Sequence, residues 1–134
     1  MSLKAFLHPA VVSEEKEIVI SKRFLDDNGK PVPFKIRALT QEENEKLVKQ
    51  STRNVKINGR ATEKLDSSEF TKRLVVAGTV EPDFSSKEMC DAYGVLDPLS
   101  VPARMLLSGE FSRLAQEITE LSGFEMDIGE EAKN

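Results

Sequence analysis

The strongest constraint on the fold of this chain is an apolar stripe near its C-terminal end. Phe111, Leu114, Ala115, Ile118 and Leu121 recur at the i, i+3, i+4, i+7 spacing of one helix face. Large side chains of this kind stabilise a fold by about 1 to 3 kcal/mol each when they are buried. The stripe therefore predicts a surface helix that packs against a covering layer.

Both ends of this segment fit helix termini. Ser108 is placed where an N-cap hydroxyl would accept an unpaired amide, and Gly123 is placed to end the helix in a left-handed conformation. The other side of the helix carries polar residues, namely Glu110, Arg113, Glu117 and Glu120. The sequence thus predicts an amphipathic helix over residues 108–123.

Composition limits the class of protein. The 134 residues suit one domain, and a net charge of −4 gives no reason to bind nucleic acid or anionic lipid. No apolar run is long enough to span a bilayer, and the N-terminus lacks the pattern of a signal peptide. Cys90, the single cysteine, cannot form an internal disulfide, which agrees with a reducing compartment. We therefore expect a cytoplasmic protein.

Two segments near the N-terminus alternate between apolar and polar residues, as strands do. They span residues 17–24 and 33–39, and Asn28-Gly29 between them supplies the positive φ angles of a hairpin turn. We predict a β-hairpin with a turn longer than two residues. A second pair, Asn58-Gly59, leaves two alternatives for the polar stretch 53–64: a small hairpin or a mobile loop.

Helix start signals follow the first hairpin. Thr40 with Glu43, Asp66 with Glu69 and Ser85 with Glu88 are three capping-box pairs. A further helix begins at Asp97 or, because Pro102 follows, at Ser100.

The predicted fold class is therefore α+β, with an N-terminal β-hairpin followed by about five short-to-medium helices, mostly helical. The predicted organisation is a flexible arm over residues 1–16, a single domain over 17–124 and a frayed acidic tail over 125–134.

Residue types that carry chemistry are scarce. His8 is the only histidine and fits a solvated imidazole in the arm, while Cys90 fits a buried small side chain. Most of the carboxylates that could be considered as catalytic groups occupy cap or turn positions. No glycine pattern fits a phosphate-binding loop. We predict no catalytic residues, no metal site, no cofactor and no small-molecule substrate. The basic stretch between Lys49 and Lys64 is interpreted as a solvated segment.

The apolar run Met105, Leu106, Leu107 exceeds what one face of one helix can bury. Core packing is one interpretation, and a groove that accepts a partner helix is the other. With Phe111, these residues form the predicted partner-binding surface.

Several strings in this chain resemble one known family. They are the N-terminal LKAFLHP, the string SKRFLDDNGKPVPFKIRALTQEENEKL, the middle VEPDFSSKEMCDAYGV and the closing RMLLSGEFSRLAQEITELSGF. Together they are similar to the XkdN-like tail assembly chaperones of phages and defective prophages of Gram-positive bacteria. The resemblance spans residues 3–124, and its motifs are family markers with no catalytic pattern.

The resemblance implies a non-enzymatic role in building a phage tail in the host bacterial cytoplasm. Such chaperones coat the long, apolar-striped tape measure protein, help recruit tail tube subunits and then leave. The implied partners are therefore the tape measure protein and the tail tube protein, with self-association open, and with no nucleic acid or membrane partner. The alternative is a structural tail component, such as a tube or completion protein, retained in the virion.

Overall fold

The structure is a computed structural model that describes residues 3–7 and 14–124. Its elements, in chain order, are α1 (Lys4–Leu7), β1 (Glu15–Ile18), β2 (Phe34–Arg37), α2 (Gln41–Gln50), β3 (Thr52–Ile57), β4 (Arg60–Leu65), α3 (Ser67–Gly78), β5 (Thr79–Glu81), α4 (Lys87–Ala92), α5 (Ser100–Met105) and α6 (Ser108–Leu121). The α+β class is confirmed, and five helices follow the first hairpin as predicted. Helices make up less than half of the described residues, so the prediction of a mostly helical chain holds only in part.

The first sheet has three antiparallel strands in the order β1-β2-β5. The predicted N-terminal hairpin is confirmed in part, because β1 and β2 pair from Glu15↔Arg37 to Ile18↔Phe34. Strand β5 was not predicted from the sequence; it follows α3 directly and pairs with β2, with a register shift between Lys35 and Ile36.

The first strand is shorter than predicted for a physical reason. Residues after Ile18 turn toward α6, where Arg113 donates a hydrogen bond to the Val19 carbonyl oxygen at 3.0 Å. The chain then closes a longer turn in which an Asp26 carboxylate oxygen accepts from the Asn28 and Lys30 amides, and Gly29 has a φ of +77°. The turn length was predicted correctly, while contacts with α6 replace the far end of the predicted strand.

The second hairpin resolves an alternative that the sequence left open. Strands β3 and β4 pair in six consecutive positions, from Thr52↔Leu65 to Ile57↔Arg60. Asn58 and Gly59 both have positive φ, at 52° and 79°, which is the conformation of a two-residue hairpin turn. Residues 53–64 therefore form a hairpin.

Helix starts were predicted with errors of about one residue. The Thr40 capping box with Glu43 is confirmed, and the Asp66 side chain accepts from the Glu69 amide. Helix α4 is capped by Ser86 instead of the predicted Ser85, because the Ser86 side chain accepts a hydrogen bond from the Met89 amide. Ser108 is likewise the first residue of α6, and the N-cap position belongs to Leu107.

The predicted stripe of α6 is the centre of the core. Leu114 and Ile118 have no exposed surface, and Phe111, Ala115 and Leu121 pack against the buried cluster. The cluster takes in side chains of both β2 and the surrounding helices. Its fully buried members outside α6 include Ile36, Val75, Phe84 and Val101.

The predicted arm and tail fall mainly on residues that the structure does not describe. His8, in the arm, and all of 125–134 lie outside the described residues. Within the range 1–16, Lys4–Leu7 is helical and β1 begins at Glu15. The division into arm, domain and tail stays a prediction.

Helices α3 and α6 approach closely at Gly78. A Cβ atom added there would lie 2.5 Å from Cγ2 of Ile118. The Ile118 side chain is completely buried, so it has no free space to move into. We therefore expect Gly78→Ala to destabilise the fold by about 1 to 3 kcal/mol through overpacking. Urea denaturation measures this loss.

Gly109 provides the matched control for this substitution. It also lies in a helix, but an added Cβ has nothing within 4 Å. Gly109→Ala should leave stability unchanged or raise it by up to about 1 kcal/mol. Equal stability of the two variants would contradict the close approach of α3 and α6.

Candidate partner-binding surface

The backbone conformation of the link between α5 and α6 determines which of its side chains are buried. Leu106 and Leu107 both have extended conformations, with ψ angles of 148° and 156°. Successive side chains of an extended backbone point to opposite sides. Leu106 is accordingly 8% exposed and Leu107 is 60% exposed.

The four predicted surface residues therefore have different environments. Met105 and Leu106 belong to the buried core, Phe111 is half-buried against it, and Leu107 alone is exposed. Core packing, one of the two interpretations of this run, accounts for Met105 and Leu106. The partner-binding role of the set stays a prediction, and its accessible parts are Leu107 and Phe111.

Leu106 and Phe111 also help to start α6. With Leu107 at the N-cap, they occupy the N′ and N4 positions, whose side chains pack together in a hydrophobic staple. The Glu110 carboxylate accepts from the Leu107 amide at 2.9 Å, which is one half of a capping box. The predicted hydroxyl cap of Ser108 is therefore wrong, because the helix begins one residue earlier and its N-cap position belongs to Leu107, which has no hydroxyl.

A shallow hollow of about 350 Å³ lies where α3, α5 and α6 meet. Leu106, Phe111 and Ala103 supply its apolar part, while Lys72, Ser108 and Ser112 are polar. Leu107 lies between the lining residues Leu106 and Ser108 in the chain, and its own side chain is exposed. This hollow can accept one or two apolar side chains from a partner.

Arg23 fixes the geometry of this region from the other side. Its guanidinium donates to the Met105 carbonyl oxygen at 3.0 Å and pairs with Glu110, and it stacks over Phe24 at 4.9 Å from the ring centroid. The hydrogen bond from Arg23, followed by bonds from Ser21 and the Leu107 amide, lowers the pKa of Glu110 to about 2. The connection between β1 and β2 thereby holds the start of α6.

Other carboxylates have structural partners as well. Glu43 closes its capping box and pairs with Arg37, whose hydrogen bond lowers the pKa of Glu43 to about 2. Cys90 is buried, and its Sγ lies 3.8 Å from the Phe84 carbonyl oxygen, as expected of a packed thiol. Among residues 3–7 and 14–124, no group of three or more His, Cys, Asp or Glu side chains is arranged to hold a metal ion.

A larger hollow, of about 570 Å³, separates α2 from the second hairpin. It is lined mainly by polar side chains, including Asn44, Asn54 and Glu63. No sequence pattern indicated it, because it arises from how the hairpin leans on α2. None of the helices in the described part has the length and apolarity that crossing a bilayer requires.

Comparison with known proteins assigns this fold to a family. The model of the phage XkdN-like tail assembly chaperone proteins matches residues 3–133. The chain belongs to this family. Its membership confirms the resemblance seen in the sequence and supports a role in phage tail assembly.

Two relatives from Bacillus subtilis strain 168 are similar over 130 residues, which is 92% of this chain and 87% of each relative. The XkdN protein of the phage-like element PBSX is 39% identical, and the uncharacterised protein YqbN is 42% identical. A crystal structure of YqbN matches with a TM-score of 0.77 at 35% identity, covering 90% of this chain and 96% of that one. This XkdN-like chain is thus similar in sequence to both relatives and in fold to YqbN.

The low pKa of Glu110 predicts how acid affects the fold. Since its folded-state pKa lies below the ordinary value of 4.5, its stabilising contribution is present above pH 4.5 and is lost as pH falls toward 2. We expect stability to decrease over this range, and Glu110→Gln to make the decrease smaller. Urea midpoints at about pH 6 and about pH 3 measure the difference.

Glu120→Gln serves as the control on the same helix. Among the described residues, the Glu120 side chain bonds only to Gln116 one turn earlier. The control should keep the full loss of stability in acid. If Glu110→Gln loses as much stability as the control does, the Arg23 contact does not contribute as the structure indicates.

Proposed function

We propose that this protein is a non-enzymatic tail assembly chaperone that binds the tape measure protein of its phage or prophage. It acts in the host bacterial cytoplasm and helps to recruit tail tube subunits. Membership of the XkdN-like family is the observation that carries this proposal. The family supplies the role in assembly, and the chemistry of the surface supplies the argument for the partner.

The hollow between α3, α5 and α6 suits an apolar-striped helix. Leu106 and Phe111 line it, and Leu107, which follows Leu106 in the chain, is exposed. A helix that inserts one or two apolar side chains would bury them here and cover Leu107. Tape measure proteins, which expose such stripes along a great length, fit this requirement.

The size of the hollow also favours a displaceable contact. About 350 Å³ accommodates only one or two side chains, and each contributes about 1 to 3 kcal/mol on burial. A single copy would therefore bind weakly, while many copies along one long partner would cover it together. Weak individual contacts allow the chaperone to leave when tube subunits arrive.

Leu107→Asp tests this surface directly. Because Leu107 is exposed, its replacement should preserve the fold but weaken binding by about 2 kcal/mol, or roughly 30-fold in affinity. The measurement is co-expression with the tape measure protein of the same gene cluster, scoring how much of that protein stays soluble and co-purifies. The variant should lose most of the soluble complex.

Leu25→Asp is the matched control, since Leu25 is 55% exposed and lies in the turn of the first hairpin. It should retain the complex. Leu106→Asp is unsuitable as a test, because it places a charge in the core and unfolds the protein. Tape measure protein that is equally insoluble with and without this chain would refute the proposal. Stable retention of the chain in purified particles would instead favour the structural tail component.

A further inference from the structure

The end of the second hairpin is a basic surface with apolar side chains. Residues 55–62 read VKINGRAT and contain two cations, Lys56 and Arg60, two branched aliphatic side chains and no carboxylate. Val55 is half-buried and the other seven residues are exposed, with Ile57 at 50%. These eight residues form the hairpin tip.

The cations at the base of the hairpin are compensated within the chain, whereas those at the tip are not. Arg53 pairs with Asp66 and Glu69 at 3.4 and 3.7 Å, and Asp66 and Lys64 both line a hollow of about 320 Å³. Within the described part of the chain, neither Lys56 nor Arg60 has a carboxylate at ion-pair distance. The hairpin tip therefore offers uncompensated positive charge.

A second part of the chain, after α3, is an acidic surface. Residues 81–91 form this acidic segment, which contains one cation, Lys87, and four exposed carboxylates, namely Glu81, Asp83, Glu88 and Asp91. Among residues 3–7 and 14–124, none of these four has a cation at ion-pair distance. Glu88 and Asp91 lie three positions apart on α4, so their side chains share one helix face.

Apolar surface accompanies the acidic segment as well. Ala92 is exposed directly after Asp91, and Leu96, five residues after Asp91, is completely exposed. The hairpin tip presents Ile57 next to Lys56 in the same way. The two surfaces are therefore opposite in charge, and each exposes apolar side chains that a contact would remove from water.

We propose that the hairpin tip of one copy docks on the acidic segment of a second copy of this chain. Both surfaces consist of described residues of one folded chain, and no ion pair among the described residues joins them. A single copy therefore leaves this complementarity unused. A second copy supplies opposite charge to the tip and an apolar partner for Ile57.

The contact is head to tail, because each copy contributes a different surface to each neighbour. The net charge of −4 makes whole copies repel each other at long range. At about 0.1 M salt the Debye length is about 10 Å, so this repulsion is largely screened while ion pairs in direct contact persist. Exposed ion pairs contribute little each, so the association of free copies is weak.

A long partner would strengthen this weak association, a consequence that rests on the proposed function. Copies held side by side on the tape measure protein have a high effective concentration relative to each other. Neither the hairpin tip nor the acidic segment includes a residue that lines the hollow between α3, α5 and α6. Contacts between neighbouring copies would thus order them along the partner without occupying that hollow.

Charge reversal on both surfaces tests the proposal with this chain alone. In sedimentation velocity at about 0.1 M salt, the full chain should self-associate at concentrations up to about 1 mM. Lys56→Glu with Arg60→Glu, or Glu88→Lys with Asp91→Lys, should each weaken association about tenfold or more, because like charges then face each other. All four changes in one chain should restore it, as should mixing the two reversed variants.

Lys22→Glu with Lys30→Glu is the matched control, since it changes the net charge equally at exposed positions before β2. It should retain association. A full chain that stays monomeric at about 1 mM, reversals no more harmful than the control, or combinations that fail to restore association would overturn the proposal.

A tip-reversed chain that self-associates normally but no longer keeps the tape measure protein soluble would also overturn the proposal, and would assign the tip to that partner. Sedimentation of this chain alone involves no tape measure protein. Its failure would therefore leave the proposed chaperone role standing.

Discussion

The burial of one face of α6 is the constraint on which the rest of this structure depends. Leu114 and Ile118 are completely buried, and α3 can approach them only because Gly78 has no side chain. The central strand β2 closes the same core with Ile36. Because these contacts join segments distant in sequence, removing the apolar face of α6 would open the core that α6 shares with α3 and β2.

The polar side of α6 also makes contacts within the protein. Glu110, Arg113 and Glu117 contact Arg23, the Val19 carbonyl and Lys16, respectively. These contacts hold β1 and the segment that follows it against the helix. A side that the sequence describes as solvated is therefore partly an internal interface, and it also positions the junction next to the proposed binding hollow.

Membership of a tail assembly chaperone family agrees with the character of this surface. The described residues offer shallow hollows with mixed lining, and the strongly shifted carboxylates, Glu43 and Glu110, serve helix starts and ion pairs. A protein that must hold an apolar partner and later release it benefits from contacts that are individually small.

The sequence by itself determined the local elements of this protein. Apolar periodicity predicted α6, and capping residues such as Thr40 predicted helix starts. For the stretch around Asn58-Gly59 the sequence left a hairpin and a loop as alternatives, and the structure has the hairpin. These signals are local, since they arise from side chains within one turn of each other.

Tertiary structure decided what long-range contacts control. The pairing of β5 with β2, the shortened β1 and the separate environments of Leu106 and Leu107 could not be predicted from local patterns. A three-residue strand has too little periodicity to be recognised, and the direction of Leu107 depends on the extended backbone between two packed helices. The candidate surface therefore stays a prediction from the sequence, while packing decided which of its residues are accessible.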